Sequence, residues 1–170
     1  MSYADCISTK ANQMVRKMDT RNPFEIAKNL GIQIMMTDDL SHLKGMYFVM
    51  KRSRFIYINS KLDERTRRIV CAHELGHDQL HRDLARNGAL QEFVLYDMST
   101  RPEYEANIFA ASILLDEDRM LELIYDYHYD AEQIARAMHT DINLVALKAA
   151  ELTTKGHKFN RLESKSDFLK

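Results

Sequence analysis

The chain has 170 residues, of which 24 are lysine or arginine and 25 are aspartate or glutamate, so its formal net charge is only −1. This balance gives no global electrostatic reason to expect nucleic-acid binding, and two cysteines are too few for a disulfide framework. Neither a signal segment nor a membrane-spanning apolar run is evident, so we expect no membrane partner. We expect a cytoplasmic protein with one compact domain and a small appended subdomain.

The N-terminal part of the chain predicts two helices followed by three strands. Apolar residues at helical spacing indicate a packing helix over residues 2–18. A second, short helix is expected to begin at the cap formed by residues 22–25 and to end at Gly31. The three strands are predicted at Ile32–Met36, Gly45–Met50 and Phe55–Asn59. Their proximity in sequence predicts a small antiparallel sheet.

One of these strands is a candidate for holding an extended substrate. A strand at the edge of a sheet can pair with an extended peptide and hold it by backbone hydrogen bonds. Either the 45–50 strand or the 55–59 strand would serve. The alternative is that both strands lie inside the sheet, and the sequence does not order them.

Residues 69–81 contain the motif H-E-x-x-H within a predicted helix that begins near Asp63. His73 and His77 lie on one helical face, about 6 Å apart along the axis, so both imidazoles can reach one metal ion. Glu74 points toward the same cleft and can act as a general base. The pattern is typical of zinc hydrolases, and the alternative is a surface helix with incidental histidines.

A catalytic zinc site needs a third protein ligand, and a later helix offers two glutamates. Thr100 and Glu103 have the spacing of a capping box, so we expect the helix to begin here with the Glu103 side chain engaged at the cap. Glu105 projects from nearly the opposite side of the helix and is free to face the metal. We therefore predict Glu105 as the third ligand; the alternative is a solvated glutamate in a first helical turn.

His81 extends the series of histidines by four residues. It lies on the same face as His77 but about 12 Å along the axis from His73, too far to share one zinc ion with it. We predict a structural role or a hydrogen bond to a zinc ligand. A third ligand at Asp83 would require a glycine in place of Leu80 to turn the chain, so we do not expect that arrangement.

Residues 87–99 contain an apolar patch at residues 93–96 and predict a strand-like segment, a loop over the cleft or an ordinary connector. A hydrogen-bond donor that stabilises the oxyanion would complete the site. Tyr47, Tyr96 and Tyr104 are unranked candidates for that role.

The last third of the chain is predicted to be helical. Asp130 and Asp141 are the expected caps of two helices that together resemble a helix-turn-helix over residues 131–152. A DNA-reading helix carries several basic or amide side chains, whereas this one has little besides Asn143 and Lys148. We therefore do not expect direct DNA binding, and we predict a packing or docking role for these helices.

The motif at residues 73–77 and the segment Glu105–Leu115 together resemble the ImmA/IrrE family of zinc metallo-endopeptidases. The resemblance extends from about Asn22 to about Phe159. It implies a gluzincin-like protein of the phage or mobile-element type that cleaves a helix-turn-helix repressor encoded nearby. One departure is Asp116, which stands where many relatives have Met-Pro. We expect this difference to affect a helix end and to leave the metal site intact.

The resemblance assigns Zn²⁺ to His73, His77 and Glu105, and the role of general base to Glu74. Zinc would lower the pKa of a water molecule to about 7, and Glu74 would accept its proton and pass one to the leaving amine. The competing class is a non-catalytic regulator that keeps the fold and binds DNA or a partner. The presence of Glu74 argues against that class, because a structural metal site has no need of this carboxylate.

The predicted fold class is α+β and zincin-like, with the small antiparallel sheet packed on the H-E-x-x-H helix. We place a metalloprotease domain at residues 1–120 and a C-terminal helical subdomain at residues 121–157. The charged residues 158–170 are expected to form a frayed tail.

Overall fold

The computed structural model of the chain describes residues 3–87, 90–92 and 99–159. The apolar patch predicted at residues 93–96 and nearly all of the predicted tail lie outside these ranges. The described residues form an α+β fold with eight helices and one four-stranded sheet. None of these helices combines the length and the apolar character needed to cross a membrane.

In chain order, two helices come first, a part that contains all the strands and two further helices follows, and four helices come last. The helices are α1 (Tyr3–Met18), α2 (Pro23–Asn29), α3 (Glu64–Leu80), α4 (Arg82–Asn87), α5 (Arg101–Leu114), α6 (Glu117–Tyr125), α7 (Ala131–Ala137) and α8 (Ile142–Thr154). The strands are β1 (Gln33–Thr37), β2 (Gly45–Met50), β3 (Ser53–Asn59) and β4 (Leu90–Glu92).

The sheet is mixed, in the order β1-β3-β2-β4. β2 is antiparallel to both β3 and β4, as predicted for the β2–β3 hairpin, but β1 runs parallel to β3. The prediction of an antiparallel sheet is therefore wrong for β1. The connection over residues 38–44 leads from β1 to β2 and leaves between these two strands the position that β3 occupies. This places β3, with its buried Ile56 and Ile58, at the centre of the sheet.

The strand order also decides the substrate-strand hypothesis. β3 is paired on both sides, and β2 is paired on both sides from Gly45 to Tyr47. The alternative, in which both strands lie inside the sheet, is confirmed for β3 and for this part of β2. In the part of the chain that the structure describes, β1 and β4 form the sheet edges.

The motif helix α3 packs between the sheet and α5. It begins near Asp63, as predicted, and the Asp63 side chain caps it by accepting a hydrogen bond from the Thr66 amide; the helix ends with His81 as its C-cap. α3 and α5 approach closely at Gly76, where a Cβ atom would lie 2.9 Å from the Cα of Ala106. This small-residue contact sets the distance between the two helices that carry the site.

The C-terminal helices begin at the predicted caps and pack on the rest of the chain. Asp130 forms a capping box with Gln133 before α7, and Asp141 caps α8. α8 packs against α5 as well as α7. The predicted domain boundary after residue 120 falls within α6, and the division into two domains stays a prediction. Asp116 caps α6, as expected for a residue that affects a helix end.

Lys148, one of the two residues considered for DNA contact, is buried within the helical part. Its amine lies 3.1 Å from a Glu117 carboxylate oxygen and 3.1 Å from a Glu151 carboxylate oxygen. The ion pair with Glu117 joins α8 to α6, and the pair with Glu151 lies within α8. The Lys148 charge is therefore engaged inside the protein and is not offered to a phosphate.

Candidate metal centre

Three side chains from α3 and α5 converge on one point. His73 Nε2 lies 3.0 Å from His77 Nε2 and 3.1 Å from Glu103 Oε2, and His77 Nε2 lies 3.4 Å from Glu103 Oε1. We call these residues the metal cluster, since one potential ligand atom from each lies within 4.8 Å of the others. The two histidines are buried, and Glu103 is half-buried.

The spacing within the metal cluster fits a single bound ion. Zinc–nitrogen bonds of about 2.0–2.1 Å place two tetrahedral ligand atoms roughly 3.3 Å apart. The observed separations of 3.0, 3.1 and 3.4 Å are close to this value. A cation between the ligand atoms would compensate the repulsion of lone pairs that face one another at such distances.

Hydrogen bonding orients the His73 ring for this role. Its Nδ1 lies 3.0 Å from Asn107 Oδ1, and because an amide oxygen can only accept, Nδ1–H donates this hydrogen bond. The remaining nitrogen, Nε2, then has its lone pair directed into the metal cluster. Asn107 is buried and follows Glu103 by one helical turn, so a single face of α5 supplies both a candidate ligand and the partner that fixes His73.

The charge states in the metal cluster also suit a cation. Burial lowers the pKa of His77 to about 4, although the adjacent Glu103 opposes this shift, so the imidazole is neutral at pH 7. Burial alone would raise the pKa of Glu103, but the His73 and His77 imidazoles hold it well below its usual range. The metal cluster therefore offers at least one neutral nitrogen, from His77, and one carboxylate.

The structure brings Glu103, and not Glu105, to the two histidines. The Thr100 hydroxyl does accept the Glu103 amide hydrogen, so the helix begins as predicted. The Glu103 carboxylate, however, turns toward His73 and His77, and the expectation that it is engaged at the cap is wrong. A sequence signal for this arrangement was the Glu103–Asn107 pair, because residues four apart share one helical face.

Glu105 and His81 form a second group on the outer side of His77. His81 Nδ1 lies 3.0 Å from His77 Nδ1, and His81 Nε2 lies 2.9 Å from Glu105 Oε2. Arg101 Nε donates a hydrogen bond to the other Glu105 oxygen at 2.5 Å. Burial alone would raise the pKa of Glu105, but His81 and Arg101 lower it. His81 thus lies where the sequence placed it, beside a candidate ligand and outside the metal cluster.

Glu74 is fully buried between α3 and the start of β2. A Cβ atom at Gly45 would come within 2.7 Å of Glu74 Oε1, so the strand can approach this carboxylate only because Gly45 has no side chain. Cys71, one turn earlier on α3, is a buried free thiol. Burial, and then the Glu74 charge, raise the pKa of that thiol.

Of the three tyrosine candidates for the oxyanion donor, Tyr47 is engaged elsewhere. Its buried hydroxyl donates to Asp78 Oδ1 at 2.7 Å, and Arg54 pairs with both oxygens of the same carboxylate at 3.0 and 3.1 Å. Asp78 thus connects α3 to both β2 and β3. No sequence pattern indicated this role. Tyr104 is partly exposed, and Tyr96 lies outside the described residues.

Comparison with protein families gives a match over residues 27–161. The matching family is a peptidase family described as the IrrE N-terminal-like domain. This range includes α3, the sheet and the helices that carry the metal cluster.

Two individual proteins are also similar to the chain. One, named uncharacterized immunity region protein 2, is from Bacillus phage phi105 and is 35% identical over 111 residues, which cover 65% of this chain and 69% of that protein. The other, named metallopeptidase ImmA, is from Bacillus subtilis (strain 168) and is 30% identical over 133 residues, which cover 76% of this chain and 75% of that protein.

Proposed function

Because this chain belongs to the IrrE N-terminal-like family of metallopeptidases, we propose that it is a zinc-dependent endopeptidase. The observation that carries this proposal is the convergence of His73, His77 and Glu103 on one point. Two neutral imidazoles and one carboxylate are the protein ligands of a well-known type of catalytic zinc site, which leaves a coordination position open. We propose Glu103 as the third ligand in place of Glu105.

We infer that Glu74 is the general base. A zinc ion in the metal cluster would supply Lewis acidity and lower the pKa of a water molecule to about 7. Glu74 follows His73 directly on α3, and its packing against Gly45 restricts the carboxylate to a narrow range of positions. From there it would accept the proton of the attacking water and deliver a proton to the leaving amine.

We propose that the substrate is a helix-turn-helix transcription repressor encoded near the gene for this chain. Support comes from the phage relative, whose name places it in an immunity region, and from the ImmA relative. We also propose that the protein acts in the cytoplasm. The free thiols of Cys6 and Cys71 support a reducing compartment.

The zinc content of purified variants tests the metal assignment. The wild type should contain close to one equivalent of zinc. Glu103→Ala should weaken zinc binding by more than the roughly 10–100-fold typical of residues that only contact a ligand, whereas Glu105→Ala should still bind one equivalent at saturating zinc. The reverse result would restore Glu105 as the third ligand.

Incubation with the neighbouring repressor tests the reaction. Mass spectrometry of the products should show one defined cleavage site, and a chelator should prevent cleavage. A zinc-loaded protein that binds the repressor and leaves it intact would instead support the competing class, a non-catalytic regulator.

A further inference from the structure

A chain of hydrogen bonds leads from the protein surface to the outer nitrogen of His77. It begins at Arg101, whose side chain is 72% exposed, and passes to the buried Glu105. It continues through both nitrogens of His81, at 2.9 Å from Glu105 and 3.0 Å from His77 Nδ1. Arg101, Glu105 and His81 all lie outside the metal cluster.

The chemistry of the acceptors assigns every proton along this chain. A carboxylate can only accept, so Glu105 requires the proton of His81 to be on Nε2. In the neutral imidazole, His81 Nδ1 is then an acceptor, and it receives Nδ1–H of His77. His77 Nε2 is consequently left with its lone pair directed toward Glu103 and His73.

The two histidines of the metal cluster are thus held in different ways. His73 donates Nδ1–H to the neutral amide of Asn107, while His77 donates to a second imidazole that is backed by a carboxylate. A carboxylate behind a metal-binding histidine fixes its tautomer and ring orientation and raises its basicity. Here one additional imidazole lies between the carboxylate and the ligand.

Contacts from α1 and α5 hold the surface end of the hydrogen-bond chain, at Glu105, in place. The Tyr3 hydroxyl lies 3.4 Å from Glu105 Oε2, and the Arg101 guanidinium lies over the Tyr3 ring at 4.6 Å from its centroid. Glu105 is thereby contacted by Tyr3 from α1 and by Arg101 from its own helix, in addition to His81. Its oxygens are kept at the distance that His81 requires.

We propose that His81 and Glu105 are positioning residues that fix the tautomer and orientation of His77 and thereby set the metal affinity of the site. This inference rests on the proposed function, because it requires a metal ion in the cluster. It gives Glu105 a defined role that differs from that of a ligand.

Three substitutions at two positions distinguish the contributions of His81 and Glu105 to the hydrogen-bond chain. His81→Phe keeps a ring of similar size and removes both nitrogens, whereas His81→Asn keeps an acceptor near the position of Nδ1. Glu105→Gln keeps the shape of the side chain and removes its charge. The matched control is Ser112→Ala on α5, which removes a buried hydrogen-bonding group that takes no part in the hydrogen-bond chain.

The primary readout is the zinc affinity of the full-length protein, measured by competition with a chromophoric chelator. We expect His81→Phe and Glu105→Gln to weaken zinc binding about 10–100-fold with an unchanged stoichiometry, and His81→Asn to recover part of the loss. Ser112→Ala should bind zinc as tightly as the wild type. The ¹⁵N NMR spectrum of the zinc-bound wild type should show His77 protonated on Nδ1 and His81 on Nε2.

Wild-type affinity in both His81 variants, or a His81 protonated on Nδ1, would overturn the proposal. Loss of zinc stoichiometry in Glu105→Gln would also overturn it, since Glu105 would then be a ligand. If His81→Phe does not fold, as judged by circular dichroism, His81→Asn, Glu105→Gln and the wild-type tautomers still decide the question. A wild-type protein that binds no zinc, or a His77→Ala variant that binds it normally, would instead refute the proposed function.

Discussion

At the scale of single residues, the two nitrogens of His77 face two different glutamates. Nε2 lies 3.4 Å from Glu103 Oε1, while Nδ1 is connected to Glu105 through His81. Residues two apart in a helix project about 200° apart, so Glu103 and Glu105 cannot both face the metal cluster from one face of α5. The side of α5 that meets α3 therefore determines which carboxylate can become a ligand.

The general-base assignment is tested by Glu74→Gln. The substitution keeps the shape of the side chain and removes its basicity, so zinc content and folding should be retained. Cleavage of the repressor should fall by about 10²–10⁴-fold, the usual contribution of general acid–base catalysis. Cleavage rates and zinc content should be measured on the same preparations.

Glu64→Gln is the matched control for this experiment, because Glu64 lies exposed in the first turn of the same helix. It should leave both cleavage and zinc content unchanged. A Glu74→Gln variant that cleaves at the wild-type rate would show that another group is the base.

At the scale of the elements, the distance between α3 and α5 governs the metal cluster, since each helix contributes ligand atoms to it. Gly76→Ala would place a Cβ atom 2.9 Å from Ala106 Cα and 3.0 Å from its carbonyl oxygen, and a helix backbone cannot yield locally. We expect the helices to separate, with a loss of about 1–3 kcal/mol in the free energy of unfolding. Zinc affinity should fall as well.

Urea unfolding of the metal-free protein and chelator competition measure the two effects of Gly76→Ala. Arg65→Ala, at an exposed position of the same helix, should change the free energy of unfolding by no more than about 0.5 kcal/mol. Unchanged stability in Gly76→Ala would mean that the helix contact is more adaptable than its geometry implies.

Because Tyr47 attaches the sheet to α3 through Asp78, we expect the free energy of unfolding to fall at high pH. Burial, followed by the hydrogen bond to Asp78, raises the pKa of Tyr47 well above its ordinary value of about 10. The unfolded chain then loses the Tyr47 proton at a lower pH than the folded chain does. The contribution of Tyr47 to stability is therefore complete below pH 10 and declines as the pH rises above it.

Tyr47→Phe isolates this contribution from those of the other titrating groups. The variant should lose about 0.5–1.5 kcal/mol at neutral pH through the missing hydrogen bond. Its stability should then fall less steeply than that of the wild type above pH 10. Parallel stability curves for the two proteins would exclude Tyr47 as the source of the difference.

At the scale of the whole molecule, the C-terminal helices are part of the framework of the site. α8 buries Leu144, Val145 and Leu152 and packs on α5, which also carries Glu103. Removal of these helices would expose apolar surface and disturb α5. Their predicted role in docking the repressor must therefore be tested with surface substitutions that leave the packing intact.

Arg136→Glu and Ala146→Glu change exposed positions on α7 and α8. If the repressor docks there, the double variant should cleave the folded repressor about tenfold more slowly, equivalent to about 1.4 kcal/mol of lost binding. An unstructured peptide with the same scissile bond should be cleaved as before, because it engages only the cleft. Lys17→Glu, at an exposed position of α1, is the control.

Cleavage rates for both substrates should be compared across these variants. Equal losses on repressor and peptide would indicate damage to the site. Unchanged rates on both would remove the docking hypothesis.

The sequence alone was sufficient for the features that depend on neighbouring residues. The helix caps at Thr100, Asp130 and Asp141 were predicted, as were the start of α3 near Asp63, the α+β class and the range of β2. Helix periodicity and capping involve groups within about four positions of one another, so the sequence contains the interactions that decide them. The pairing of His73 with His77 across one turn follows from the same geometry.

Tertiary structure alone decided the features that depend on contacts between distant segments. The parallel pairing of β1 with β3, the choice of Glu103 over Glu105 at the histidines, and the partners of His81 all belong to this group. Both glutamates are suitable ligands by residue type. Which of them reaches the histidines depends on the rotation of α5 against α3, and that rotation is set by side-chain packing between segments that are far apart in the chain.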